Sequence, residues 1–340
     1  MISLHVLFCL IGYTYFCRYC KPLRISFKKE TKVALLEEER YFVEQIRQLK
    51  PTVIQLECGG RIEVSHHLIM SMIDGKARNV LTHTASMATC SVCGATPKQM
   101  SVELSLNRPV SENAFKYVLS VLHSRIRFFE CVIHISYRLE LKKWSVNQEL
   151  YKERKLMIQQ ELREHLGILV DMVQHGSGST NNGNTSRIFF KHASEAARIT
   201  GVDEELITRF GTILDALSSG FKINLAKFQA YAVETAKLFE KLYPWFRMPV
   251  SVHFVLIHGA DIMKRLQLPI GMYTEEALES RNKNVRSFRE NRTRKISREA
   301  TMTDLFQRLL LTGDIVFSSL RTNKTKSLET FSPSVRELLD

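Results

Sequence analysis

The sequence predicts an α+β chain that is mostly helical, on three observations. Apolar runs of strand length, alternating or continuous, occur only before residue 74. From Ser111 onward, apolar residues recur at helical spacing between charges through almost every segment. No fixed-period repeat runs through the chain. With 340 residues and 44% hydrophobic content, the protein can bury a real core and hold two or three structural units.

Residues 2–17 form the one strongly apolar run. The run lacks a basic leader and a small-x-small cleavage site, and it is short for a membrane span, so the expectation is a buried strand or a start foreign to the rest of the protein. Lys28 to Lys50 predicts a helix, with Val33, Leu35, Leu36, Phe42, Ile46 and Leu49 near a 3.6 period and Pro51 as its stop. Thr52–Glu57 and Arg61–Ser65 predict two short strands around a Gly59-Gly60 turn. Leu68–Ile73 predicts a strand that ends at Asp74-Gly75-Lys76 and so delivers an acid at its tip. An ordinary Asp-Gly turn explains the same residues.

Glu112 to Trp144 predicts one long helix or a pair, and Gln148 to Val173 a charged amphipathic one. Gly176–Asn184 has the composition of a flexible polar loop, after which Arg187-Ile-Phe-Phe190 restarts a helix. Asp203–Ser219, Asn224–Tyr243 and Val250–Leu266 are three more, with Gly220 between the first two and a turn bracketed by Pro244 and Pro249 before the third. Pro269 and Gly271 break the chain again. Thr274 then caps a new helix whose first turn holds Glu275 and Glu276, with Glu279 one turn on and roughly on their face.

Seven cysteines, an odd number without the layout of a secreted disulfide framework, fit a reducing intracellular compartment. Cys90-Ser-Val-Cys93 is a half-site for zinc or a redox pair, and the absence of a thioredoxin-like setting favours zinc. Cys17 and Cys20, or His66, His67 and His83, are candidates for the other half. His253 and His258 lie five residues apart. That offset turns their side chains about 140° from each other on an ideal helix, poor geometry for a shared metal unless the helix bends or ends.

The net charge of +13 and the pI of about 9.4 point to an anionic partner, most often nucleic acid. Its densest source follows Glu279: Arg281, Lys283, Arg286, Arg289, Arg292, Arg294, Lys295 and Arg298, opposed only by Glu290. A carboxylate beside such a run offers an oxygen ligand for a cation and cations for phosphates. A solvated, salt-bridged helix has the same pattern.

Several of these motifs fall in a particular order. Ile73-Asp-Gly-Lys76 comes first, then Cys90-Ser-Val-Cys93-Gly-Ala-Thr-Pro-Lys-Gln-Met100, then Asn182-Gly-Asn-Thr-Ser-Arg187. His253-x4-His258 and Leu268-Pro-Ile-Gly271…Glu279-Ser-Arg-Asn-Lys283 follow, and Phe16-Cys17…Lys21-Pro-Leu23 stands upstream. The succession, over roughly residues 17–320, resembles the Transib transposases and the catalytic subunit of the V(D)J recombinase. The resemblance implies an RNase H-like (DDE) core in which three acids hold two Mg²⁺ or Mn²⁺ ions, interrupted by a large helical insertion. Asp74 then looks like the second acid and Glu279 the third. Cys90, Cys93, His253 and His258 look like the ligands of a structural zinc that staples the insertion.

Residues 1–29 contain no Asp or Glu, so the first acid has no counterpart and the expected core is incomplete. The implied layout is an atypical apolar segment at 1–16, a partial core at 17–88, a zinc-linked helical insertion at 89–265, a core-closing acidic and basic helix at 266–298, and a helical tail at 299–340. The implied function is a transposase-derived, zinc-containing DNA-binding protein of the nucleus. It would lack cleavage activity of its own and would act as a homodimer or with a recombinase-type partner, away from membranes. An active DDE endonuclease, in a longer product or completed by a partner, is the competing reading. A helical protein-interaction remnant without DNA affinity is the third.

Overall fold

The computed structural model describes residues 3–10, 20–28, 31–65, 73, 75–117, 119–143, 149–174, 178–273, 276–314 and 327–340. Among the described residues helix far outweighs strand, so the mostly helical α+β class holds. Among the described residues no helix is long and apolar enough to cross a membrane.

Within the apolar N-terminal run, Ser3–Leu10 is a strand; the rest of the run lies outside the described residues. β1 (Ser3–Leu10) pairs antiparallel with β2 (Cys20–Lys28), Val6 opposite Ile25, with a register shift between Leu7 and Phe8 where Pro22 enters the ladder. The helix α1 (Lys32–Arg47) begins where the Thr31 hydroxyl accepts from the Ala34 amide at 3.1 Å. It buries none of its residues. β3 (Thr52–Gln55) and β4 (Arg61–Val64) form the expected hairpin, turned by Gly59 at φ 81°. Among the described residues these hairpins remain separate two-stranded sheets, not the single sheet of an RNase H-like core. The expected strand at 68–73 lies outside the described residues except at Ile73, which is not in a strand.

The helical body follows. It comprises α2 (Gly75–Leu81), α3 (Val102–Leu106), α4 (Val121–Ser136), α5 (Glu149–Leu166), α6 (Gly183–Lys191), α7 (Ala193–Thr200), α8 (Glu204–Leu217), α9 (Leu225–Leu242) and α10 (Val250–Met263). The stretch expected as one long helix or a pair from Glu112 is a short 3-10 turn, Glu112–Lys116, and then α4, whose start is fixed by the Ser120 hydroxyl accepting from the His123 amide at 3.2 Å. The polar loop near Gly176 contains a small hairpin, β5 (Val173–Gln174) with β6 (Gly178–Ser179). α6 starts earlier than Arg187 because the Asn182 side chain accepts from the amides of Asn184 and Thr185.

α10 is apolar almost all round, the pattern of a helix at the centre of a core, and eleven of its fourteen residues are buried. It packs on α9, α4 and α3. Around it, Phe128 meets Phe210 edge-on at 4.7 Å and Phe129 meets Phe189 at 5.0 Å. The last helix, α13 (Pro333–Glu337), returns the C-terminus to this core: Val335, Leu338 and Leu339 are buried, and Leu338 accepts from the Asn224 amide at 2.9 Å.

A second, smaller core joins α11 (Glu276–Asn291) and α12 (Arg298–Thr312) to β2. Val285, Leu305 and Leu309 are its buried residues, with Ile25, Phe288 and Met302 against them.

Candidate metal centre

Two sequence-distant pieces build one site. The first is the turn at Cys90–Ala95, closed by Gly94 N–H donating to Cys90 O and Cys90 N–H donating to Ala95 O, both at 2.9 Å. Gly94 sits at φ 66°, a left-handed conformation that other L-residues adopt only with strain. Within this turn the amides of Val92 and Cys93 hydrogen-bond the Cys90 sulfur, and that of Ala95 bonds the Cys93 sulfur. Outside it, Arg108 Nε donates to Cys93 O at 2.9 Å and Ser111 N–H to Val92 O at 2.8 Å. The turn is held on both sides, so its sulfurs are pre-aimed.

The second piece is α10, which supplies His253 and His258. It runs through both positions without interruption, so neither a bend nor a helix end explains their meeting. The backbone cylinder has a radius of only about 2.3 Å, and side chains longer than that can converge past one flank. The two rings lie 5.2 Å apart at 77°. The ligand atoms of Cys90, Cys93, His253 and His258 lie within 4.8 Å of one another, and all four residues are buried. Tetrahedral zinc, with Zn–S near 2.3 Å and Zn–N near 2.0 Å, requires ligand–ligand edges of ~3.3–3.8 Å. Cys93 Sγ and His253 Nε2 are already at 3.4 Å. The widest pair would have to close by about 1 Å, within the reach of a small rotamer change.

The electrostatics suit a cation. The hydrogen bond to Cys93, helped by burial, pushes the Cys90 thiol far up. The Cys90 thiol and both imidazoles hold the Cys93 sulfur far below the usual thiol range. Burial holds His253 below its ordinary value, hence neutral and able to ligate. His253 Nδ1 and His258 Nε2 are buried without a hydrogen-bond partner among the described residues. Leaving such an atom unsatisfied costs about 1–3 kcal/mol. Two thiols and two buried imidazoles are the donor set of a metal such as zinc, and four protein ligands close the coordination sphere. Of the other suggested donors, His83 is exposed and outside the cluster, and Cys17, His66 and His67 lie outside the described residues, as does the Cys20 side chain.

The second predicted centre is only partly visible. Asp74, Thr274 and Glu275 lie outside the described residues. Glu279 lies on α11 with its side chain outside them. Glu276, one turn earlier, pairs with Arg187 of α6, which ties the Asn182–Arg187 motif to the helix of Glu279. Of the cationic run, Lys283, Arg286, Arg289, Arg292, Arg294, Lys295 and Arg298 are exposed. Arg281 is the exception and corrects the expected DNA-contacting set. It is 1% exposed, and its guanidinium donates to the Leu309 carbonyl, clamping α11 to α12. Sequence reasoning also passed over Gly94 and Arg108; the glycine directly after a Cys-x-x-Cys pair was the signal available for the first.

No protein-family model and no curated protein matches this chain.

Proposed function

We propose that this chain is a zinc-containing DNA-binding protein of transposase or recombinase descent. The observation that carries the reading is the convergence of Cys90, Cys93, His253 and His258 into one buried cluster. Cys93 and His253 are separated by 160 positions. Spacing alone argued against the histidine pair, whereas the motif order implied this four-residue set. Zinc, when bound there, supplies a crosslink between the Cys90–Cys93 turn and α10. The chain's own residues do the rest: backbone amides orient the sulfurs, and the surrounding helices exclude water. Seven exposed cations on α11, α12 and the turn between them form the DNA-facing surface, chiefly for phosphates.

Asp74 and Glu279 are the proposed remnant of a Mg²⁺ or Mn²⁺ site. Two-metal phosphoryl transfer needs oxygen ligands for both ions, and without a third acid this chain binds DNA but does not cut it.

The test has three readouts. Metal analysis of Cys90→Ser and His258→Ala proteins should show loss of zinc; full retention in both would move the site elsewhere. If four to six cations contact phosphates, log K for duplex DNA should fall against log salt with a slope of about −4 to −5, and neutralising Arg286, Arg289 and Arg292 together should flatten it. No binding at low salt favours the protein-interaction remnant. Nicking of labelled duplex in Mg²⁺ or Mn²⁺, above an Asp74→Ala/Glu279→Ala control, would establish the nuclease instead.

A further inference from the structure

The turn between α11 and α12 carries an apolar side chain where the sequence is otherwise most basic. Ile296 is 81% exposed. Arg292, Arg294, Lys295 and Arg298 surround it in sequence and are themselves exposed. Isolated apolar residues on a protein surface are ordinary. Two features set this one apart: its place within the densest cationic run, between Lys295 and Arg298, and the rigidity of the turn that presents it.

That rigidity is built from named bonds. The Arg294 amide and Nε donate to Asp304 Oδ2 at 2.8 and 3.0 Å, and Arg294 Nη2 donates to Oδ1 at 2.8 Å. The Thr301 hydroxyl donates to Arg294 O at 2.7 Å. Lys295 Nζ donates to Thr293 Oγ1 at 3.1 Å and to the Arg289 carbonyl. The Ser297 hydroxyl accepts from the Ala300 amide at 3.0 Å and starts α12. The backbone on both sides of Ile296 is fixed, while its side chain faces water. A turn held this firmly loses little conformational entropy on docking.

Resting on the DNA-binding reading, we propose that Ile296 is a wedge that enters between base pairs and bends the duplex while the flanking cations hold the phosphates. Branched apolar side chains inserted beside Arg and Lys are a general means of unstacking and kinking DNA. The ligand class is therefore duplex DNA that is easily deformed: pyrimidine–purine steps, mismatches or unpaired bases. An anionic membrane would also attract the cations. Insertion of one isoleucine adds far less than a single acyl chain, which itself anchors only marginally, so DNA is the partner the turn fits.

The experiment uses the full chain with end-labelled duplexes, in wild type, Ile296→Ala and Ile296→Met. Three quantities are read: the salt slope of binding, the bend by energy transfer between the duplex ends, and the fluorescence of a 2-aminopurine placed beside a central TA step. Wild type should bend the duplex, brighten the probe and prefer a one-base mismatch over perfect duplex by about tenfold, because unstacking is then partly prepaid. Ile296→Ala should keep the salt slope but lose the bend, the fluorescence change and the preference; Ile296→Met should restore most of all three.

The side chain is exposed, so neither substitution threatens the fold. Normal bending by Ile296→Ala overturns the wedge while leaving DNA binding intact. Absence of duplex binding by wild type overturns both readings. Ile296-dependent sedimentation with phosphatidylserine vesicles, without DNA bending, would assign the turn to a membrane surface.

Discussion

At the scale of single residues, glycines show how local space was set aside. A Cβ built on Gly271 would meet Gly220 N at 2.7 Å and Leu217 O at 3.1 Å, atoms of backbone that cannot rotate away. On Gly183 it would meet Leu122 Cδ1 at 2.6 Å, the far end of a side chain that can. Gly271→Ala is therefore expected to cost about 1–3 kcal/mol by overpacking, read as a lowered urea midpoint with unchanged slope, and Gly183→Ala clearly less. Equal, small effects would show that the 270–273 turn is free to move off Gly220. In the sequence Gly271 is legible as a helix breaker and as part of the Leu268–Gly271 motif but not as a packing position, because its neighbour across the gap is 51 positions away. Cys90 and Cys93 were legible for the opposite reason: their chemistry is written within four residues. Arg281 looked like its exposed neighbours, since a charge pattern does not reveal that α12 covers one position of it.

At the scale of elements, α4 shows which local forces win. Its dipole favours a cation near its C-terminus, where His134 lies, and Asp171 and Glu130 also favour the imidazolium. Burial opposes them and dominates, helped by Arg138 and Lys155, so the His134 pKa lies below its ordinary value of 6.5. The sign then follows. The unfolded chain binds this proton more readily than the folded one, so His134's contribution to stability is complete above about pH 6.5 and is lost as pH falls through the folded value. Melting temperature measured from pH 7.5 down to 5 should fall, and His134→Phe should fall less steeply. Parallel curves would place the acid-sensitive group elsewhere.

Helices such as α8, α9 and α10 were readable to within a few residues because an apolar stripe and a capping or breaking residue are both local. The Asn182 cap was equally local and was masked by the glycines and asparagines around it. How the hairpins relate to one another was not legible, since strand pairing joins residues that carry no mutual signal in one sequence.

For the whole molecule, the two hydrophobic cores separate the two proposed tasks. The metal cluster belongs to the large core, between the Cys90–Cys93 turn and α10, whereas the exposed cations stand on α11 and α12 around the small one. A metal bound only by the folded state stabilises it by about 4 kcal/mol when free ion exceeds the dissociation constant a thousandfold. Stripping zinc with a chelator should therefore lower the main thermal transition by several degrees, and restoring zinc should recover it. The cations take no part in ligation. At a temperature where the stripped protein is still folded, the salt slope of DNA binding should match that of the zinc-loaded protein. A slope that collapses with the metal while helicity is retained would show that the Cys90–Cys93 turn and α10 position the cationic surface after all. The ion pair between Arg187 of α6 and Glu276 of α11 is one contact, among the described residues, through which that coupling would run. Arg187→Ala in the zinc-loaded protein should then reproduce the collapse.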